Sequence, residues 1–128
     1  MSAATRREFT GGAAAVLLTG VVEGSGKAAP TDQLYGLIGE MKAAPGKRAE
    51  LVGYLLEGTA GMPGNLAYLV AEDVANPDSI WITEVWRSKA DHDDSLGLPQ
   101  VQSTIAKARP LIAGFGTRVE TRPVPASR

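Results

Sequence analysis

The stretch LAYLVAEDVANPDSIWITEVWR, Leu66 to Arg87, decides the fold. Two apolar runs rich in β-branched and aromatic residues, Leu66 to Val74 and Ile80 to Arg87, flank the turn-forming segment Ala75 to Ser79 with its Asn-Pro-Asp centre. That pattern predicts two antiparallel strands joined by a hairpin-like loop. The second run offers apolar residues of both parities: Trp81 and Val85 on one face, Ile80, Ile82 and Trp86 on the other. A sheet built from it must be covered on both sides.

Working outward, Leu34 to Ala43 reads as another strand with apolar residues on both faces, broken by the Pro-Gly-Lys-Arg that follows. Lys47 to Gly61 carries Leu51, Val52, Leu55, Leu56 and Thr59 at helical spacing, with Gly61 as a stop. Beyond the hairpin, Ser88 followed by Asp91 is a helix-start signal, and Asp91, Asp93 and Asp94 suit the positive end of a short helix. Pro99 opens a longer one with a Val101, Ile105, Ala108, Ile112 stripe, loosened at Pro110, and Phe115 to Val124 closes as a last strand. The order β-α-β-β-α-β predicts an α+β, ferredoxin-like domain, an antiparallel sheet with helices on one face. Helices cover only one face, so the other predicts a homodimer with the two sheets facing each other.

At 128 residues, 44% hydrophobic, the chain holds one ordinary domain. Thirteen Lys and Arg against fourteen Asp and Glu, with no block of like charge, exclude the electrostatic footprint of a nucleic-acid binder and favour a small neutral ligand. With no cysteine and one histidine, a disulfide framework, a thiolate metal site and a catalytic thiol are excluded, and no cofactor or metal is expected. Any chemistry falls to Asp, Glu, Tyr, Asn, Arg, Trp and His92.

The first residues differ in kind. Thr5 to Thr10, TRREFT, precedes the Gly/Ala/Val/Leu run Gly11 to Val22, the pattern of an export signal. That run is shorter than the about 20 apolar residues a spanning helix needs, so no stable membrane anchor is expected. Arg6, Arg7 and Phe9 resemble a twin-arginine signal. Residues 1–28 are expected to be removed near Ser25 to Pro30, leaving ten basic and twelve acidic groups in an exported, periplasmic or extracellular domain.

Taken in order, a strand followed by Pro45-Gly46-Lys47, the Pro63, Gly64 and Tyr68 of a PGxxxY, the Glu84 and Trp86 closing the third strand, and Leu96 and Pro99 leading into the helix before Ala108 to Phe115 resemble the antibiotic-biosynthesis monooxygenase family, of dimeric α+β barrel type. The resemblance covers residues 33–124. It implies a small-molecule aromatic substrate, a quinol or polyphenol, and dioxygen, worked on without metal or flavin. Triplet dioxygen reacts slowly with closed-shell molecules unless the substrate can release one electron, as a deprotonated phenol can. A dry pocket, hydrogen bonds to the phenolate and a base then suffice.

His92 and Glu84 are the candidate catalytic residues by their own chemistry and Asn65 a candidate substrate-binding one, while the resemblance matches Trp86 and Tyr68 to family positions and makes them substrate-binding candidates. Trp86 serves equally as a pocket wall or a core residue. Tyr68 is either a donor to a substrate oxygen or a buried Tyr bonded to backbone. Asn65 orients a carbonyl or serves its own turn. His92, among three aspartates on a helix start expected to be wet, is a proton acceptor or a solvated residue. The histidines of the family's HLxxPH pattern are replaced here by Ser95 and Gln100. Glu84, on an apolar strand, is a second candidate base with a raised pKa, or pairs with Arg87, Arg109 or Arg118. The competing readings are a non-catalytic dimer that binds a small aromatic or lipophilic ligand, and an isomerase-type barrel that needs no oxygen.

Overall fold

A computed structural model describes residues 33–126; the export-signal reading of residues 1–28 lies outside the described residues. Within them the chain runs β1 (Tyr35–Ala43), α1 (Arg48–Gly58), β2 (Asn65–Glu72), β3 (Ser79–Trp86), α2 (Lys89–Ser95), α3 (Pro99–Ala108), a 3-10 turn (Arg109–Leu111) and β4 (Ile112–Thr121). The strands form one sheet in the order β2-β3-β1-β4 with every neighbouring pair antiparallel. This is the expected ferredoxin-like α+β fold.

The helices lie on the face carrying Tyr35, Leu37, Met41 and Ala43 of β1 and Ile80, Ile82 and Trp86 of β3. Leu51 and Leu55 of α1 and Ala108 of α3 close over Met41, Ile80 and Ile82, while Val101 and Met62 pack with Trp86, Tyr35 and Leu37. Each large apolar side chain buried this way contributes about 1.5–3 kcal/mol. At the crossing of α1 and α3, Gly58 approaches the Thr104 side chain so closely that no Cβ fits between them. Carbonyls at the end of α1 and just beyond it find side-chain donors: Thr59 Oγ1 donates to Leu55 O (2.6 Å), and Gln100 Nε2 of α3 donates to Gly58 O (3.1 Å) and Ala60 O (2.8 Å).

The β2–β3 loop is pinned from α1. Arg48 Nη1 donates to the carbonyls of Asp73, Asn76 and Ser79 at 3.0–3.1 Å. Asp73 in turn accepts from the N–H groups of Ala75 and Asn76 and from Trp81 Nε1, a side-chain-stabilised turn of the kind Asp favours.

Three details depart from the periodicity. Helix α1 ends at Gly58 rather than running to Gly61, and its Leu56 is 53% exposed. Helix α3 ends at Ala108, because Pro110 has no N–H to continue the ladder. Ile112 therefore belongs to β4 and not to the helical stripe, although it still packs on the core. Strand β4 begins three residues before the predicted Phe115 and carries two register shifts against β1.

The outer face of the sheet carries a largely apolar row across its width. Leu69 pairs with Thr83, Thr83 with Ile38, and Ile38 with Val119, a single row spanning all four strands. Ile38, Leu69 and Val119 in that row are 37%, 62% and 44% exposed.

Candidate functional site

Glu84 and Trp86 are two residues apart on β3 and so share its helix-covered face. Cross-strand register sets Leu37 of β1 and Tyr68 of β2 on either side of Glu84. Trp86 is 1% exposed, and its indole Nε1–H donates to Glu84 Oε1 at 2.8 Å. Burial holds the Glu84 carboxyl above its ordinary range; the indole hydrogen bond and the neighbouring His92 and Arg118 pull the other way without reversing it. Burial, then the charge of Glu84, pushes the Tyr68 phenol well up, so its hydroxyl stays protonated.

His92 is 4% exposed, which corrects the expectation of a wet helix face. Helix α2 is fastened at its start, where Ser88 Oγ accepts the Asp91 N–H (3.1 Å), as the Ser-x-x-Asp spacing predicts. The Asp91 side chain lies against Gly64, whose positive φ of 80° and lack of Cβ let the loop pass beneath it. Fixed this way, α2 turns His92 and Ser95 inward. The imidazole meets Trp86 edge-on (centroids 5.4 Å apart, 82°) and tilts over Tyr35 (5.3 Å, 47°). Its Nδ1 lies 3.2 Å from Asp93 Oδ1. Tyr35 donates from its hydroxyl to Glu120 (2.6 Å); its phenol is pushed well up, first by burial and then by that carboxylate.

A cleft of about 80 Å³ opens beside this cluster. Its cause is local. Gly39 sits on the inner face of β1 between Leu37 and Met41, and the register shift of β4 between Arg118 and Phe115 loosens the ladder next to it. Where a side chain would stand there is space. Leu37, Met41, Ile82 and Phe115 give it apolar walls, and Glu40, Glu84, His92, Thr117 and Arg118 supply its polar lining.

Of the five nominated residues, Glu84 and His92 line the cleft, Trp86 stands behind both, and Tyr68 faces Glu84 across the strand pair. Asn65 lies apart. Its Nδ2 donates to the carbonyls of Ala67 (3.2 Å) and Val85 (3.4 Å), where β2 shifts register against β3. The two positions where histidines were sought hold structural residues: Ser95 Oγ donates to His92 O (2.6 Å), and Gln100 closes the end of α1. Tyr35 was not nominated from the sequence, and Arg118 only as one of three partners for Glu84. The pairing of Tyr35 with Trp86 depends on register, which no local motif carries. His92 and Ser95, with Leu96 just past the end of α2, are spaced i, i+3, i+4 and form its least charged stripe, the available signal for its buried side.

The arrangement can hold a small planar molecule against apolar walls, with its ionisable oxygen among a proton acceptor, a carboxyl and a guanidinium. A family model described as antibiotic biosynthesis monooxygenase matches residues 34–107. A crystal structure from Chloroflexus aurantiacus J-10-fl, described as a candidate antibiotic biosynthesis monooxygenase, is 53% identical; the match covers 74% of this chain and 97% of that one, with a TM-score of 0.72. One from Deinococcus radiodurans, described in the same way, is 26% identical over 73% of this chain and 96% of its own, with a TM-score of 0.61. A third, from Bacteroides thetaiotaomicron VPI-5482, shares the fold (TM-score 0.67, covering 77% and 98%) at 14% identity. No curated protein matches the chain.

Proposed function

The chain belongs to the antibiotic biosynthesis monooxygenase family, and from that membership and the geometry of the cleft we propose that it is a cofactor-independent monooxygenase of a small aromatic quinol or polyphenol. The observation that carries this reading is the convergence of buried His92 and half-buried Glu84 on a cleft walled in part by Leu37, Met41, Ile82 and Phe115.

His92 takes the proton of a substrate hydroxyl, and Arg118 stabilises the phenolate that results. The electron-rich phenolate reduces dioxygen by one electron. Recombination of the two radicals forms a carbon–oxygen bond, and loss of water leaves one oxygen atom in the product and the other in water. The substrate supplies all the electrons. Glu84, whose carboxyl burial shifts toward keeping its proton, is the group placed to donate to a substrate oxygen or to the departing one.

The protein acts as a homodimer, the exposed row Leu69, Ile38 and Val119 of one protomer meeting that of a second. It works after export, in the periplasm or outside the cell, as the twin-arginine-like start of the chain suggests.

Turnover of an anthrone under ¹⁸O₂ tests the chemistry: one labelled oxygen in the quinone product supports it, and label from water instead would end it. A second reading, a dimer that binds an aromatic or lipophilic ligand without reaction, draws support from Ser95 and Gln100, whose side chains are occupied in hydrogen bonds of the fold. Quenching of Trp fluorescence by the same anthrone with no product at all would favour that reading.

A further inference from the structure

We infer that Asp93 is a positioning residue for His92: by accepting the Nδ1 hydrogen it holds the neutral imidazole in the tautomer whose Nε2 carries the free lone pair. The inference rests on the reading of His92 as the proton acceptor of the cleft.

A carboxylate only accepts, so the 3.2 Å contact between Asp93 Oδ1 and His92 Nδ1 requires the hydrogen on Nδ1. The other ring nitrogen then has a lone pair available for a substrate proton, and among the described residues no hydrogen bond claims it. Asp93 is itself held. Lys89 Nζ donates to Oδ1 (3.3 Å) and Oδ2 (3.2 Å) one helical turn away, which fixes the carboxylate against rotation. The rings of Trp86 and Tyr35 pack against the imidazole and hold its plane. The ring orientation thus comes from aromatic packing and the tautomer from Asp93, the division of labour a general base needs when one nitrogen must be free.

The chain contains a single histidine, so nitrogen NMR of the imidazole reads the tautomer directly, without substrate. In ¹⁵N-labelled full-chain protein at about pH 8, we expect a pyrrole-type Nδ1 and a pyridine-type Nε2. In Asp93→Asn, whose amide presents either a donor or an acceptor to Nδ1, the tautomer ratio shifts by about tenfold or more toward Nε2–H, the size expected when a charge-assisted hydrogen bond is lost. Lys89→Ala leaves the acceptor in place and keeps the wild-type pattern. A wild-type protein with its hydrogen on Nε2, or an Asp93→Asn variant with an unchanged ratio and a folded amide spectrum, overturns the proposal. Should Asp93→Asn fail to fold, the wild-type spectrum alone decides. The tautomer is read without turnover, so an inactive protein would refute the catalytic reading and leave this one standing.

Discussion

The indole Nε1–H of Trp86 donates a 2.8 Å hydrogen bond to Oε1 of Glu84, its neighbour two residues back on the same face of β3. One side chain thereby packs the core and restrains the carboxyl of the cleft. The carboxyl nevertheless keeps its proton to higher pH than a free glutamate, because burial outweighs the bond. A carboxyl with a folded pKa above its unfolded value stabilises the fold below the unfolded pKa, and that contribution is lost as pH rises through the folded pKa. Glu84→Gln keeps the acceptor for Trp86 and cannot ionise. Thermal melts are expected to show an advantage for the variant that is absent at acid pH and grows as pH rises through the raised Glu84 pKa. A variant less stable at pH 8 would contradict the assignment.

Gly39 is the residue whose missing side chain makes room for the cleft. Its backbone is not in the left-handed region, and an added Cβ meets only Thr117 O, at 3.7 Å. Gly39→Val is expected to fold as well as the wild type or gain up to about 1 kcal/mol from reduced chain entropy. It should also abolish the Trp fluorescence change on titration with 1-naphthol, because two methyl groups then occupy a space of about 80 Å³.

Gly58 makes the opposite case. A methyl group there collides with the Thr104 side chain at the contact of α1 and α3. Gly58→Ala should lower stability by about 1–3 kcal/mol despite alanine's better helix propensity. Gly58→Ala combined with Thr104→Ala should recover only part of the loss in calorimetry, because the Cβ of residue 104 still stands 2.5 Å from the added methyl group.

The outer row bears on assembly. Leu69→Lys, with a charge placed on a residue 62% exposed, costs little within one protomer. Sedimentation equilibrium is expected to give a dimer for the wild type and a monomer for Leu69→Lys combined with Val119→Lys, with unchanged far-ultraviolet circular dichroism.

The order and type of the elements were legible because each carried its own local signal: the Asn-Pro-Asp turn between β2 and β3, Ser88 before α2, Pro99 at the start of α3. The double-sided strands were equally plain in Trp81 and Val85 against Ile80, Ile82 and Trp86. What sequence reasoning missed depends on register and on the placement of short elements. The spacing of aspartates on α2 suggested a wet surface, yet the contact of Asp91 with Gly64 turns His92 into the core. The register shifts of β4, which help open the cleft beside Arg118, come from pairing with β1 over a long sequence separation. Tyr35 enters the site only because β1 runs antiparallel to β3, setting it opposite Trp86.

Oxygen consumption measured with an electrode, for the purified protein over a panel of hydroquinones and anthrones with no added metal or flavin, tests the central claim most directly. Uptake is expected with at least one of them, reduced by roughly 100-fold or more in His92→Ala, the usual contribution of a positioned general base. Uptake that survives both His92→Ala and Glu84→Gln unchanged, or none across the whole panel, would contradict the account.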